Sequence, residues 1–335
     1  MRLTTIGMLA VLAACGGDKG EVTPTGDTGT DIDTDTTDTD TDTTDTDTTP
    51  NCANAVLGRY PGDGDADIYV RSGIDVQLSQ PDATASIVVT DSAGTPVVGD
   101  VSLHDGDRRV QFLPGEDYVD GETYTASLEW ACDPRDISFT AGSDGASPVA
   151  DPSVLVGRGY SLDLKDGRFV APDGIGAALE SMLEVKLLLG VTAADATSIS
   201  LRAGAEDAKG GQDLAATTTD FSDPAAFANP FFSVTQDVLP LVIEGDPIDV
   251  EDLYVSGSFA ADGSEIVGFR MSGIVDTRDL KDAVGVSGDG DVCALFGASF
   301  NVSCEACPGG GDYCITLVVA DLPMPETGFT VEVVP

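Results

Sequence analysis

Between residues 123 and 132 the side chains alternate without a break. Tyr124, Ala126, Leu128, Trp130 and Cys132 fall on one side of an extended chain, and Thr123, Thr125, Ser127 and Glu129 on the other. Successive side chains of a strand point to opposite faces, so this order buries one face and wets the other. The pattern recurs upstream. Ile74, Val76 and Leu78 alternate with Asp75 and Gln77, and Val110 and Phe112 with Arg109 and Gln111. Ile87 and Val89 lead into the turn Asp91-Ser92-Ala93-Gly94. Short period-two runs separated by turn residues predict an all-β sandwich over residues 51–143.

The segments GIDVQLSQP, VVTDSAGTPVVGDVSL, VQFLPGEDYVDGETYTASL and ISFTAG follow one another in this stretch. Together they resemble a bacterial Ig-like domain of the S-layer SbsA type, most specifically at Gly121-Glu122-Thr123-Tyr124-Thr125. The resemblance implies a tyrosine corner at Tyr124, its hydroxyl bonding back to upstream backbone. Two cysteines depart from the family's pattern. Cys132 falls on the predicted core face and Cys52 at the domain's start, and we pair them as a disulfide. Closing so long a loop contributes roughly 4–5 kcal/mol in the chain-entropy picture.

A second unit is expected over residues 148–335, after the loop 142–147. Tyr160, Leu162 and Leu164 alternate up to the turn Lys165-Asp166-Gly167, and Ile199, Leu201 and Ala203 form another strand. DLYVSGSFAADGSEIVGFRMSGIVDT reads as a hairpin bent at Asp262-Gly263, with Leu253, Val255, Phe259, Phe269 and Met271 facing inward. Ile315, Leu317 and Val319 alternate, and Phe329, Val331 and Val333 predict a last strand. Helical spacing appears from Pro172 to Leu189, at Thr277–Val284 and at Asp291–Phe300. The expectation is a mainly β chain. The Ig-like sandwich is followed by a β-rich (α+β) domain, an antiparallel sheet or barrel with short helices. This second unit resembles only uncharacterised domains of envelope lipoproteins.

Four cysteines cluster near the C-terminus, Cys293, Cys304, Cys307 and Cys314. Four thiolates could hold zinc, and Cys304-Glu305-Ala306-Cys307 has redox spacing. A redox pair opens a helix, whereas Pro308-Gly309-Gly310-Gly311 follows at once here. Two structural disulfides are the preferred reading. Of three connectivities, Cys293–Cys304 with Cys307–Cys314 is favoured, because the second closes a Gly-rich hairpin.

The N-terminus supplies the location. Arg2 precedes an apolar run from Ile6 to Ala14, too short for the roughly 20 residues of a membrane span. It fits a signal peptide over residues 1–14. Leu12-Ala13-Ala14-Cys15 resembles a bacterial lipobox. The resemblance implies cleavage before Cys15 and fatty acylation there, of the palmitate class. It also implies an envelope location, in the outer membrane because Gly16 stands where an inner-membrane Asp would. Residues 15–50 then form a tether. Residues 16–50, with their Thr/Asp run, carry eleven acids against Lys19, too polar and too charged to fold. Such a chain reaches ~120 Å fully stretched and averages roughly 30–35 Å as a coil.

Past residue 50 the chain holds 14 basic and 47 acidic residues, net −33. Nucleic acid is excluded as a partner, since phosphate neutralisation needs clustered Lys and Arg. His104 is the sole histidine, in a hairpin tip, so no His-dependent nucleophile and no multi-histidine metal site can be assembled. Asp63, Asp65 and Asp67 imitate the start of an EF-hand loop. Ile68 and Ile74 stand where that loop needs Gly and Glu, so a turn is expected. Glu251-Asp252 is one chance acidic pair among many. The chain therefore reads as non-enzymatic, without cofactor or metal. It is expected to sit on a membrane through its lipid and to play a structural, adhesive or protein-contact role at the cell surface. The alternative is a lipoprotein enclosing a small apolar ligand in its C-terminal domain.

Overall fold

The computed structural model describes residues 52–172, 186–221, 224–243, 246–300 and 302–335. The leader, Cys15 and the Thr/Asp tether lie outside the described residues. The protein is mainly β. Its first eight strands make two four-stranded sheets. One has the order β1 (Val56–Tyr60), β3 (Ile74–Leu78), β6 (Arg109–Pro114), β5 (Gly99–His104). The other has β2 (Asp65–Ile68), β8 (Arg135–Ala141), β7 (Thr123–Glu129), β4 (Ser86–Thr90). All pairs are antiparallel except β2 with β8. Alternation puts Ile74, Val76, Leu78, Val110 and Phe112 against Ile87, Val89, Tyr124, Leu128 and Phe139, one core between two sheets. Each large side chain buried here contributes roughly 1.5–3 kcal/mol.

The alternation from Tyr124 stops sooner than expected. β7 ends at Glu129, and Trp130 and Cys132 are half-buried on the turn beyond it. Two bonds hold that turn. Trp130 Nε1 donates to Asp133 O at 2.7 Å, and Ala131 N donates to the Asp82 carboxylate at 2.8 Å. Cys132 thus leaves the strand and meets Cys52 at the sandwich edge.

The remaining strands form a third sheet around a second core. Its order is β10 (Arg168–Ala171), β18 (Cys314–Pro325), β17 (Glu265–Asp276), β16 (Asp246–Phe259), β15 (Phe231–Ile243), β14 (Ala225–Ala228), β12 (Ser198–Ala205), β11 (Lys186–Ala194), β9 (Gly159–Asp163). The short β13 (Thr219–Asp220) pairs with β12. Tyr160 bridges Glu326, and Thr327 N donates to Gly159 O at 2.8 Å, so β9 returns to the chain just past β18 and the sheet curls into a barrel. Its interior is filled. Tyr160, Phe227 and Phe232 surround Phe259 with ring centroids 5.2–6.2 Å away. Leu253, Phe269, Met271 and Leu322 close the rest. The β16–β17 hairpin bends at Asp262-Gly263, where Gly263 has φ +72 and its N–H donates to Ala260 O at 2.7 Å.

Two other elements differ from the sequence reading. Lys186–Leu189 belongs to β11, paired on both sides with β9 and β12, and residues 173–185 lie outside the described residues. A short apolar run fits strand or helix, and here two neighbours decide it. Phe329–Val333 forms no strand. Its backbone is held by side chains instead, with Glu332 N donating to Gln212 Oε1 at 2.7 Å and Val334 N to Thr218 Oγ1 at 2.9 Å. The helix α1 spans Asp291–Phe300 and buries Val292 and Phe296.

Candidate functional site

The outer face of the β1-β3-β6-β5 sheet carries Tyr60, Asp75, Gln77, Arg109 and Gln111. Strand alternation makes this face polar, and on a lone sandwich it would be wet. Here it packs on the outer face of the barrel. Asp75 and Arg109 are each 1 % exposed. Arg270 faces them from β17, between the inward side chains of Phe269 and Met271.

The Asp75 carboxylate organises this seam. It accepts from Arg109 Nη1 at 3.0 Å, Gln111 Nε2 at 3.0 Å and Arg270 Nη2 at 2.9 Å. Arg109 also donates from Nε to Asp105 at 2.8 Å. Burial alone would raise the Asp75 pKa, but Arg270, Arg109 and the Gln111 hydrogen bond outweigh it and hold the carboxyl below its ordinary value. The arrangement repeats around the network. Tyr60 OH donates to Asp321 of β18 at 2.5 Å and shares a 2.8 Å bond with Ser72 Oγ. Tyr69 OH and Ser258 Oγ of β16 lie 2.6 Å apart. Gly268, at φ +58, lets the Tyr69 ring close down, since a Cβ there would stand 2.1 Å from it. Clefts of about 270, 100 and 40 Å³ open along this seam.

Such a network fixes the sandwich on the barrel in one register. A buried carboxylate held by three donors, two of them guanidinium groups, suits positioning better than proton transfer. Sequence reasoning took these residues as the solvated side of an alternating strand. A signal was present, however. Asp75 faces Gln111 and Gln77 faces Arg109 across β3 and β6, the two central strands of the sheet. Opposite charges concentrated at a sheet's centre need company from outside.

Among the described residues, those singled out in the sequence have these places. Cys52 bonds Cys132, Cys293 bonds Cys304 and Cys307 bonds Cys314. The sulfurs of Cys307 and Cys314 lie near Asp276, but they are spent on each other, so that trio offers no thiolate to a metal. The Tyr124 hydroxyl accepts from Val119 N at 2.8 Å, five residues upstream. Asp63 accepts from Ser138 N at 3.0 Å and Asp65 from Gly62 N at 2.6 Å, which makes that stretch a hydrogen-bonded turn. Asp252, at φ +49, sits in a bulge of β16. His104 Nε2 meets Ser102 Oγ at 2.8 Å on β5, a pair the sequence reading did not foresee. Burial first, then Arg109, lower the His104 pKa. Among the described residues no carboxylate bonds its other ring nitrogen, and neither residue lines the clefts of the seam. That pair therefore lacks the orienting group of a nucleophile triad. No helix among the described residues is long and apolar enough to cross a membrane.

No family model matches this chain, and no curated protein matches it in sequence. Several solved structures are similar in part. The chain matches CopC from Methylosinus trichosporium OB3b at 17 % identity and a TM-score of 0.24, over 27 % of this chain and 93 % of that one. PcoC, a copper resistance protein from Escherichia coli, matches at 16 % identity and 0.22, over 26 % and 98 %. Domains 1–6 of the surface layer protein SbsC match at 10 % identity and 0.24, over 84 % and 54 %. At such scores the reading of function rests on this chain's own residues.

Proposed function

We propose that this protein is a non-enzymatic envelope module, anchored by acylated Cys15 and held off the outer membrane by its Thr/Asp tether. Its rigid two-lobed head would serve structure or protein contact at the surface. The observation that carries this reading is the seam. A spacer or contact module must hold its lobes at a set angle, and the buried Asp75 network supports such a fixed joint. Three disulfides suit an oxidising compartment outside the cytoplasm. The net −33 argues against nucleic acid and anionic lipid surfaces as partners, leaving the acyl chains as the route to the membrane. The filled barrel weighs against the alternative, an apolar ligand enclosed in the C-terminal domain.

The test is a distance measurement between non-cysteine spin labels at Val98 and Leu214, exposed on the sandwich and the barrel respectively. The intact acylated protein in vesicles should give one narrow distribution. A broad one removes the rigid-module reading. Native mass spectrometry of protein purified from its own envelope addresses the alternative. A co-purifying apolar molecule near one-to-one, distinct from the Cys15 acyl groups, would reinstate it.

A further inference from the structure

One cleft of the seam, about 270 Å³, lies between β3 of the sandwich and the start of β18 in the barrel. Leu57, Phe300 and Val302 are among its apolar lining. Its polar groups are unusual in being left over. Arg108 Nε and Gln77 Oε1 are both shut away from solvent without a hydrogen-bond partner, and both side chains line this cleft. An orphaned donor or acceptor costs roughly 1–3 kcal/mol, more when charged. Among the described residues Arg108 forms no ion pair, although acids outnumber bases more than three to one past residue 50. Glu305 also lines the cleft. It accepts the Thr316 hydroxyl and, among the described residues, has no ion pair, with Arg109 acting on it only from a distance. Arg109 is already engaged by Asp105 and Asp75.

The cleft is thus lined by one cation, Arg108, and one acid, Glu305, left without an ion pair, and no ion pair among the described residues joins the two. A simple anion would be repelled by Glu305 and Asp105, and a simple cation by Arg108. A molecule with both charges meets each of the two with its complement. We propose that this cleft binds a small zwitterion with an apolar body, of the amino-acid class, its carboxylate on Arg108 and its ammonium on Glu305. The volume falls just below the roughly 300–1,000 Å³ of drug-sized ligand pockets, which restricts the occupant to a single small molecule. The site stands apart from the anchoring and contact role, since it needs only the folded head.

Calorimetric titration of the full folded protein tests this with three probes that share one apolar body: L-leucine, 4-methylpentanoate without the ammonium, and 3-methylbutylamine without the carboxylate. Burial raises the Glu305 pKa, so the titration is run near pH ~8, well above ordinary carboxylate values. Leucine should bind at least tenfold more tightly than either analogue. Arg108→Gln should weaken leucine and 4-methylpentanoate by roughly tenfold, a factor equal to about 1.4 kcal/mol, and should not weaken the amine, whose repulsion it relieves. Glu305→Gln should weaken leucine and the amine and should not weaken the acid, whose repulsion it relieves. Ser303→Trp, at the exposed rim of the cleft, should block all three while keeping both charges. Thermal melts report whether each variant folds, and Ser303→Trp with the parent decides if a charge variant does not. Equal affinity for leucine and its two analogues, no leucine binding at millimolar concentration, or leucine binding untouched by Ser303→Trp overturns the proposal.

Discussion

Asp75 carries one negative charge among two guanidinium groups and an amide, all inside the protein. Removing a single partner from such a set leaves charge behind without compensation. Asp75→Asn keeps the size of the side chain but strands Arg270 and Arg109, so it should cost about 3–5 kcal/mol at neutral pH by urea denaturation. The pH dependence has a definite sign. The folded-state pKa of Asp75 is depressed, so its contribution is fully present above the unfolded-state value. It is lost as pH falls through the lower folded value. The stability gap between parent and Asp75→Asn should therefore be constant above about pH 5 and narrow only in more acid solution. A gap that is absent at neutral pH, or that widens in acid, would show that Asp75 is not the anchor of the seam.

Among the elements, what could be read locally was read. The bend at Asp262-Gly263 needs a residue at positive φ, and Gly263 supplies it. Ile74, Val76 and Leu78 declare a strand because their neighbours Asp75 and Gln77 cannot share the same face. Leu187–Leu189 was misread because its strand pairing comes from residues 159–163 and 199–205, which no local pattern shows. Val331 is buried like a strand residue while its flanking backbone bonds to Gln212 and Thr218. The seam was missed for the same reason at larger distance, since Arg270 is 195 residues from Asp75. Cysteine pairing also has consequences at this scale. Cys52–Cys132 spans 80 residues and Cys307–Cys314 only 7. On loop-closure entropy, replacing both cysteines by Ala should cost about 4.5 kcal/mol for the first pair and about 2.5 for the second. Guanidinium denaturation of the two double variants should keep that order, and a reversed order would mean that native contacts, not loop length, set the effect.

At the scale of the whole molecule, charge and attachment decide behaviour. With net −33 past residue 50, self-repulsion opposes the compact state, so moderate salt should raise the melting temperature by screening it. A flat dependence in calorimetry would indicate that the acids are already spaced beyond each other's reach. Attachment is the larger question. A head this acidic gains nothing from anionic headgroups, so attachment to a membrane rests on the acylation proposed at Cys15. One acyl chain binds marginally, whereas the two or three expected on a processed lipobox cysteine hold stably, at roughly 0.8 kcal/mol for each buried CH₂. Cys15 is also the one cysteine left over when the other six pair, so its replacement leaves the disulfide framework whole. Cys15→Ala should therefore move the protein from the membrane fraction to the soluble one, or leave it unprocessed, with the folded head intact by thermal melt. Mass spectrometry should show the loss of the diacylglycerol adduct from the new N-terminus. Unchanged membrane partitioning together with unchanged mass at that terminus would remove the lipid anchor from the proposal.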